Sequence, residues 1–169
     1  MNRIDNSLYN LNSPELAPLL LGKILCVKRD DGEVVKARIT ETEAYFGEED
    51  TACHAHKGRT NRTEILYSAG GRVYVYLCYG VHYLMNIISG PMEHPQGVLI
   101  RGVEGFNGPG KLTKYLGINK SHNNLDATTS DIIWLEDDGF VPENIKTSPR
   151  IGIDYATEEY RNIHWRFYY

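Results

Sequence analysis

Apolar and polar residues alternate through positions 34–45, the period of a strand with one covered face. By that period Val35, Ala37, Ile39, Glu41, Glu43 and Tyr45 share one side, and Val34, Lys36, Arg38, Thr40, Thr42 and Ala44 the other. An apolar face therefore runs straight into two carboxylates and a phenol. Glu43 and Tyr45 are expected about 7 Å apart, at roughly 3.3 Å of rise per residue. That leaves room for a flat ligand to stack on the ring while the carboxylate faces its edge. The plain alternative is a strand emerging at a wet edge with its last acids exposed.

The same pattern supplies the neighbouring elements. Ser13 is placed to cap a short helix, Pro14 suits its first position, and Gly22 can end it; Leu16, Leu19 and Leu20 form its apolar stripe. Residues 23–29 read as a strand, and Asp30-Asp31-Gly32 as the turn that returns the chain into residues 33–45. In residues 72–88, Val73, Val75 and Leu77 alternate with Tyr74, Tyr76 and Cys78, giving an apolar face and a tyrosine face. Gly80 breaks that run, so a tight hairpin is expected with Tyr79-Gly80 at its tip, an aromatic in the open unless it has something to enter. On the return strand His82, Leu84, Asn86 and Ile88 share a face. Asn86 then either braces backbone or reads a ligand edge, because a buried amide needs partners. Residues 97–103 are a further strand with Leu99, Arg101 and Val103 on one face, and the charge of Arg101 calls for an acidic partner such as Glu43. Residues 109–116 read as a helix closed by Gly117. Residues 132–136 and 150–154 read as strands, and residues 156–162 as a last helical turn or two. These elements imply an α+β fold: a single mixed domain, residues 1–169, with residues 1–12 as a loosely ordered N-terminus.

Composition narrows the chemistry. The net charge of −4 gives no general basic field, so any nucleic-acid contact must rest on a local patch. Lys57, Arg59, Arg62 and Arg72, interleaved with Thr60, Asn61 and Thr63, are the candidates for DNA-backbone contacts. Three cysteines without a CxxC pair argue against a disulfide framework and fit a reducing compartment. No signal peptide is visible in residues 1–12, and no apolar run approaches the ~18 residues of a membrane span. Cys53, His54 and His56, with Asp50 nearby, invite a metal but lack a second cluster to complete a ligand set, so no metal is expected. Gly108-Pro109-Gly110-Lys111 lacks the spacing and trailing hydroxyl of a nucleotide-binding loop. Twelve tyrosines against four phenylalanines and two tryptophans favour a wet recognition surface over a sealed core.

Taken together, Glu41-Thr42-Glu43-Ala44-Tyr45, Tyr74-Val75-Tyr76-Leu77-Cys78-Tyr79-Gly80, Met85-Asn86-Ile87, Val98-Leu99-Ile100-Arg101, Arg150-Ile151-Gly152-Ile153 and Arg166-Phe167-Tyr168 resemble the alkyladenine (3-methyladenine) DNA glycosylases. The resemblance covers most of the chain, and the first two motifs at this separation are its most specific part. It implies a curved, largely antiparallel β-sheet with short flanking helices. It implies a monofunctional hydrolase, without cofactor, that flips an alkylated or deaminated purine out of duplex DNA and leaves an abasic site. By resemblance Glu43 is the general base, and Arg101 and the carbonyl of Ile151 hold the attacking water. Tyr45, His54, Tyr76 and Asn86 form the base pocket, and Tyr79 intercalates. The expected partner is double-stranded DNA with damaged purines, bound by a monomer without a membrane, in the cytoplasm of a bacterium or the nucleus of a eukaryote. A catalytically silent lesion binder would keep Tyr79 and lose Glu43; an unrelated hydrolase would use Cys53, His54 and His56 with a metal.

Overall fold

In the computed structural model, which describes residues 2–169, the elements run β1 (Asn2–Arg3), α1 (Ser13–Leu19), β2 (Ile24–Lys28), β3 (Val34–Phe46), β4 (Val73–Cys78), β5 (His82–Ile88), β6 (Gln96–Val103), β7 (Phe106–Asn107), α2 (Pro109–Leu116), β8 (Ile133–Asp137), β9 (Lys146–Ser148), α3 (Glu158–Arg161) and β10 (Arg166–Tyr168). The strands form one sheet in the order β1-β8-β2-β3-β6-β5-β4, with β10 added to β3, β9 to β10 and β7 to β6. Every named pairing is antiparallel. The α+β class and antiparallel sheet expected from the sequence are what the chain adopts. No helix among the described residues is long and apolar enough to cross a membrane.

β3 is the hub because it is long enough to serve three partners. Its first residues pair with β2 across the Asp30-Asp31-Gly32 turn, and residues 41–43 pair with β10. Along its other edge it pairs with β6, and there the ladder slips. Ile39 faces Val103, Glu41 faces Gly102 and Thr42 faces Ile100. Thr40 on β3 and Arg101 on β6 are thus each one extra residue. An extra residue in a strand exchanges its faces from that point on. The face that carries Ile39 continues as Thr42 and Ala44, not as Glu41 and Glu43. Ile39 and Ala44 pack with Leu16, Leu20, Val98 and Ile100 in the aliphatic core, and the Thr42 hydroxyl donates to the Ala17 carbonyl at 2.8 Å. Glu41, Glu43 and Tyr45 face the other way. The unbroken apolar-to-acidic face expected from strict alternation is therefore corrected, and so is Val103, which joins Ile100 in the core while Leu99 and Arg101 lie opposite.

Smaller corrections have equally local causes. Asn12, not Ser13, is the helix cap of α1, because Ser13 is buried with its hydroxyl donating to the Tyr45 carbonyl at 2.8 Å. Leu19 and Leu77 are exposed; Ala17 covers the core in place of the first, and the second lies beyond the covered part of β4. Residues 150–154 are not a strand: Gly152 takes a φ of +74°, and the neighbouring polar groups bond to side chains instead of a ladder. Of residues 1–12, Met1 lies outside the described residues, and Asn2–Arg3 pair with β8. Tyr9 is buried, its carbonyl accepts the Gly90 N–H at 2.9 Å, and a Cβ on Gly70 would stand 1.9 Å from that oxygen.

Candidate active site

Three elements converge on the face of β3 opposite the core: the connection after β3, the β4–β5 hairpin, and residues 150–155. The Glu43 side chain is fully buried there. Its Oε1 accepts the Tyr45 hydroxyl at 2.9 Å and Arg101 Nη1 at 3.4 Å, and its Oε2 accepts the Ile151 N–H at 2.6 Å. Burial pushes the Glu43 carboxyl above its ordinary pKa, and Arg101, the Ile151 amide and the Tyr45 hydroxyl offset only part of that. The sequence paired Arg101 with Glu43 alone. Arg101 in fact divides itself, with Nε donating to Glu41 at 3.2 Å, and Arg166 Nε holds the same Glu41 oxygen at 2.6 Å. Glu41 thus binds two guanidinium groups, and the bulge that makes Arg101 an extra residue is what lets it reach both acids.

Tyr45, whose hydroxyl donates to the Glu43 carboxylate, also lines a small pocket of about 50 Å³ with His54, Tyr74, Tyr76, Asn86 and Tyr155, and Ala52, Cys53, Leu66 and Gly97 close it. His54 Nδ1 is 2.9 Å from the Tyr74 hydroxyl, and its ring meets Tyr76 edge-on at 4.6 Å between centroids. Burial, with Arg62 and Lys57 nearby, lowers the His54 pKa to about 4, so the imidazole is neutral at pH 7. Asn86 is buried opposite Tyr74 and donates to its carbonyl at 3.2 Å, so it braces backbone while lining the pocket. Burial and the neighbouring Glu43 raise the Tyr45 hydroxyl well above its usual pKa, keeping it a donor.

The pocket shares Tyr45, His54, Tyr76 and Tyr155 with a groove of about 890 Å³, whose lining also includes Lys57, Thr60 and Arg62 from the connection after β3 and His82, Pro109 and Lys111 from β5 and α2. Tyr79 stands at its lip, 94 % exposed. Tyr79 and Gly80 both have positive φ, 52° and 66°, and the Val81 N–H donates to the Cys78 carbonyl at 3.1 Å. Two left-handed central residues are what a tight hairpin of matching twist requires. A tyrosine held in that conformation with its ring in the open is strained and unburied at once.

Of the four expected DNA-backbone residues, Lys57 and Arg62 line the groove, and Arg62 lies over the Tyr76 ring at 5.4 Å. Arg59 and Arg72 do not line it. Arg59 is caged by Glu64 and Glu93 at 2.6 and 2.5 Å and stacks on Tyr67, while Arg72 donates to the Asn124 carbonyl at 3.0 Å. Glu64 is five residues from Arg59, but Glu93 is thirty-four away, and no local pattern announces that second partner. His54 and His56 are committed to Tyr74 and the Glu48 carbonyl, and no three potential metal ligands converge among the described residues.

Sequence reasoning missed the part played here by four residues. Lys111 sits at the start of α2 facing the groove, and Tyr155 lines both groove and pocket. Arg150 and Asp50 form a fully buried ion pair, with contacts of 2.6 and 2.9 Å, and the Arg150 guanidinium lies 4.8 Å from the centre of the Tyr45 ring. A lone arginine amid apolar residues 151 and 153 was the available signal for that pair.

Residues 7–169 match the family model described as methylpurine-DNA glycosylase (MPG). A protein of Borrelia garinii subsp. bavariensis named "Putative 3-methyladenine DNA glycosylase" is 43 % identical over 177 residues, covering 98 % of this chain and 95 % of that protein. Proteins of the same name from Psychrobacter cryohalolentis and Clostridium perfringens (strain SM101) are 45 % and 41 % identical. The first alignment covers 81 % of this chain and 78 % of its relative, the second 98 % and 95 %.

Proposed function

The chain belongs to the methylpurine-DNA glycosylase family of DNA-repair enzymes, and on that premise we propose that it flips a damaged purine into the pocket beside Glu43 and hydrolyses its glycosidic bond with a water activated by that carboxylate. A base inside a duplex is out of reach, and extruding it costs a few kcal/mol. Tyr79 offsets part of that cost by filling the vacated stack, which accounts for a strained, exposed ring at the lip of the groove. Inside, Tyr45 and Tyr76 offer aromatic surface beside a neutral His54, which suits a cationic alkylpurine on the parts of those rings that Arg150 and Arg62 do not occupy. Asn86 screens purine edges. Lys57 and Arg62 hold the phosphate backbone, and Arg59 and Arg72 are left out of that role.

A carboxylate offers about four lone-pair directions, and three donors already meet Glu43. The fourth is available to a water, which Arg101 and the Ile151 carbonyl help hold. As the C–N bond breaks, positive charge develops on the sugar, and the Glu43 carboxylate stabilises it. The water oxygen bonds to C1′, its proton passes to Glu43, and the bond electrons leave with the purine. An alkylated cation leaves as a neutral base; a deaminated purine leaves as an anion that takes its proton from solvent. Since water and not an amine attacks, no enzyme–sugar adduct forms and the strand stays whole, which makes the enzyme monofunctional.

The observation that carries this reading is Glu43, a fully buried carboxylate under three donors, one of which is the hydroxyl of a tyrosine that lines the aromatic pocket. Its test is incubation with duplexes that each hold one alkylated or deaminated purine. The expected result is an abasic site that breaks only after alkali; strand breakage without alkali would overturn the monofunctional step.

A further inference from the structure

The segment after Arg150 is stitched to a single turn of three consecutive residues. Asp50 grips the Arg150 guanidinium, the Thr51 hydroxyl accepts the Thr157 N–H at 2.9 Å, and the Ala52 carbonyl accepts the Tyr155 hydroxyl at 3.1 Å. Residues 150–157 contain neither helix nor strand, so these ties fix their path. They carry two groups to the site: the Ile151 amide that meets Glu43, and the ring of Tyr155.

Tyr155 is placed unlike the other aromatics of the pocket. Tyr74 is buried and Tyr45 and Tyr76 are half-buried, whereas Tyr155 is 68 % exposed while lining both the inner pocket and the groove. Its hydroxyl is tied to the pocket wall, so the ring is held at the mouth instead of swinging in solvent. A tethered ring with its surface uncovered, at the junction of an aromatic pocket and a groove, has a face to offer to whatever enters.

We infer that Tyr155 is an aromatic wall of the base pocket, a specificity-determining contact that covers the extruded purine from the groove side. The assignment rests on the base-flipping reading above. Tyr155 stacks on the base itself and not on the backbone, so it tightens binding of a duplex with a damaged purine and leaves binding of undamaged duplex alone. The hydroxyl tether to Ala52 sets the height of the ring; the ring makes the contact.

The experiment uses the full chain and two duplexes. One carries an alkylated purine on a 2′-fluorinated sugar, whose electron-withdrawing fluorine resists glycosidic cleavage; the other is undamaged. Tyr155→Ala is expected to weaken binding of the first by about 5- to 150-fold, the range of one lost base–aromatic stack, with the second unchanged. Tyr155→Phe keeps the ring and is expected to retain most of the affinity. Thermal midpoints should stay near that of the parent protein, since the side chain is mostly exposed and the Arg150 and Thr157 ties still hold the segment. Equal losses on both duplexes, or a Phe variant as weak as the Ala variant, would overturn the assignment, as would unchanged lesion affinity in the Ala variant. Cleavage of the unfluorinated lesion duplex by the parent protein reports separately on the proposed function. If that cleavage fails, the reading beneath the assignment falls; if it succeeds while Tyr155→Ala binds normally, only the role of Tyr155 falls.

Discussion

Toward α1, β3 presents Ile39, Thr42 and Ala44 to Leu16, Leu20, Val98 and Ile100; toward residues 150–155 it presents Glu41, Glu43 and Tyr45 to Arg101, Arg166 and the Ile151 amide. One face is aliphatic and dry, with a single hydroxyl satisfied by a backbone carbonyl. The other holds ionised groups out of water, where each must be met by a partner or destabilise the fold. The first gains stability from each buried methylene. The second gives stability up to hold carboxylates away from water, and the slip at Thr40 and Arg101 is what keeps the two faces apart.

The sharpest test of this division is Glu43→Gln. It preserves size but cannot take a proton, so single-turnover excision is expected to fall by ~10²–10⁴-fold while the fold and lesion binding persist. A near-parental rate would move the chemistry off this face. On the proposed mechanism the same carboxyl should set the acid side of the pH profile. Its pKa lies above the ordinary 4.5, so the proton-accepting form is lost as pH falls through that raised value, and the midpoint of the limb should stand above 4.5. Its effect on stability has the opposite sense. The unfolded carboxyl ionises first as pH rises, so stability declines between the unfolded and the folded pKa. A limb at or below 4.5 would mean that Arg101 outweighs burial.

Substitutions on opposite faces should next separate stability from rate. Arg150→Met leaves Asp50 buried without its partner and is expected to cost ~3–5 kcal/mol of unfolding free energy. Excision should also slow, because Ile151 and Tyr45 lose their support. Ile100→Ala on the core face is expected to cost ~2–5 kcal/mol while the folded fraction cuts at the parental rate. Denaturant titration beside single-turnover kinetics reads both; a matching rate loss in Ile100→Ala would erase the contrast between the faces.

Tyr79→Ala removes a ring that touches little of the protein. Lesion binding should weaken by about 1–3 kcal/mol with no change in melting temperature. A lower melting temperature with normal affinity would return Tyr79 to the core. The smallest effect concerns salt. Neutralising Lys57 or Arg62 should reduce the slope of log affinity against log salt by about one unit each, and neutralising caged Arg59 should not. An unchanged slope in both groove variants would move the DNA footprint away from this wall.

Much of this molecule was legible in local pattern. The hairpin at Asp30-Asp31-Gly32, the tip at Tyr79-Gly80, helix α2 with its Gly117 stop and the tyrosine face of β4 each follow from short-range rules of period, turn chemistry and backbone freedom. Glu43 and Tyr45 were also rightly placed on one face, because they lie beyond the bulge together.

What local pattern could not supply were the relations between distant residues. The slip of β3 against β6 depends on how two strands some sixty positions apart fit around one core, and it reversed the face on which Ile39 was expected to continue. Arg59 was captured by Glu93, thirty-four positions away, and Arg150 by Asp50, a hundred positions away. Residues 150–154 look like a strand by their apolar alternation. They are none, because their polar groups found better partners in a buried aspartate and in Glu43 than in any ladder. Side-chain period reports which way a residue points along its own strand; which charge it meets there is decided by packing, where desolvation makes every unpaired group costly.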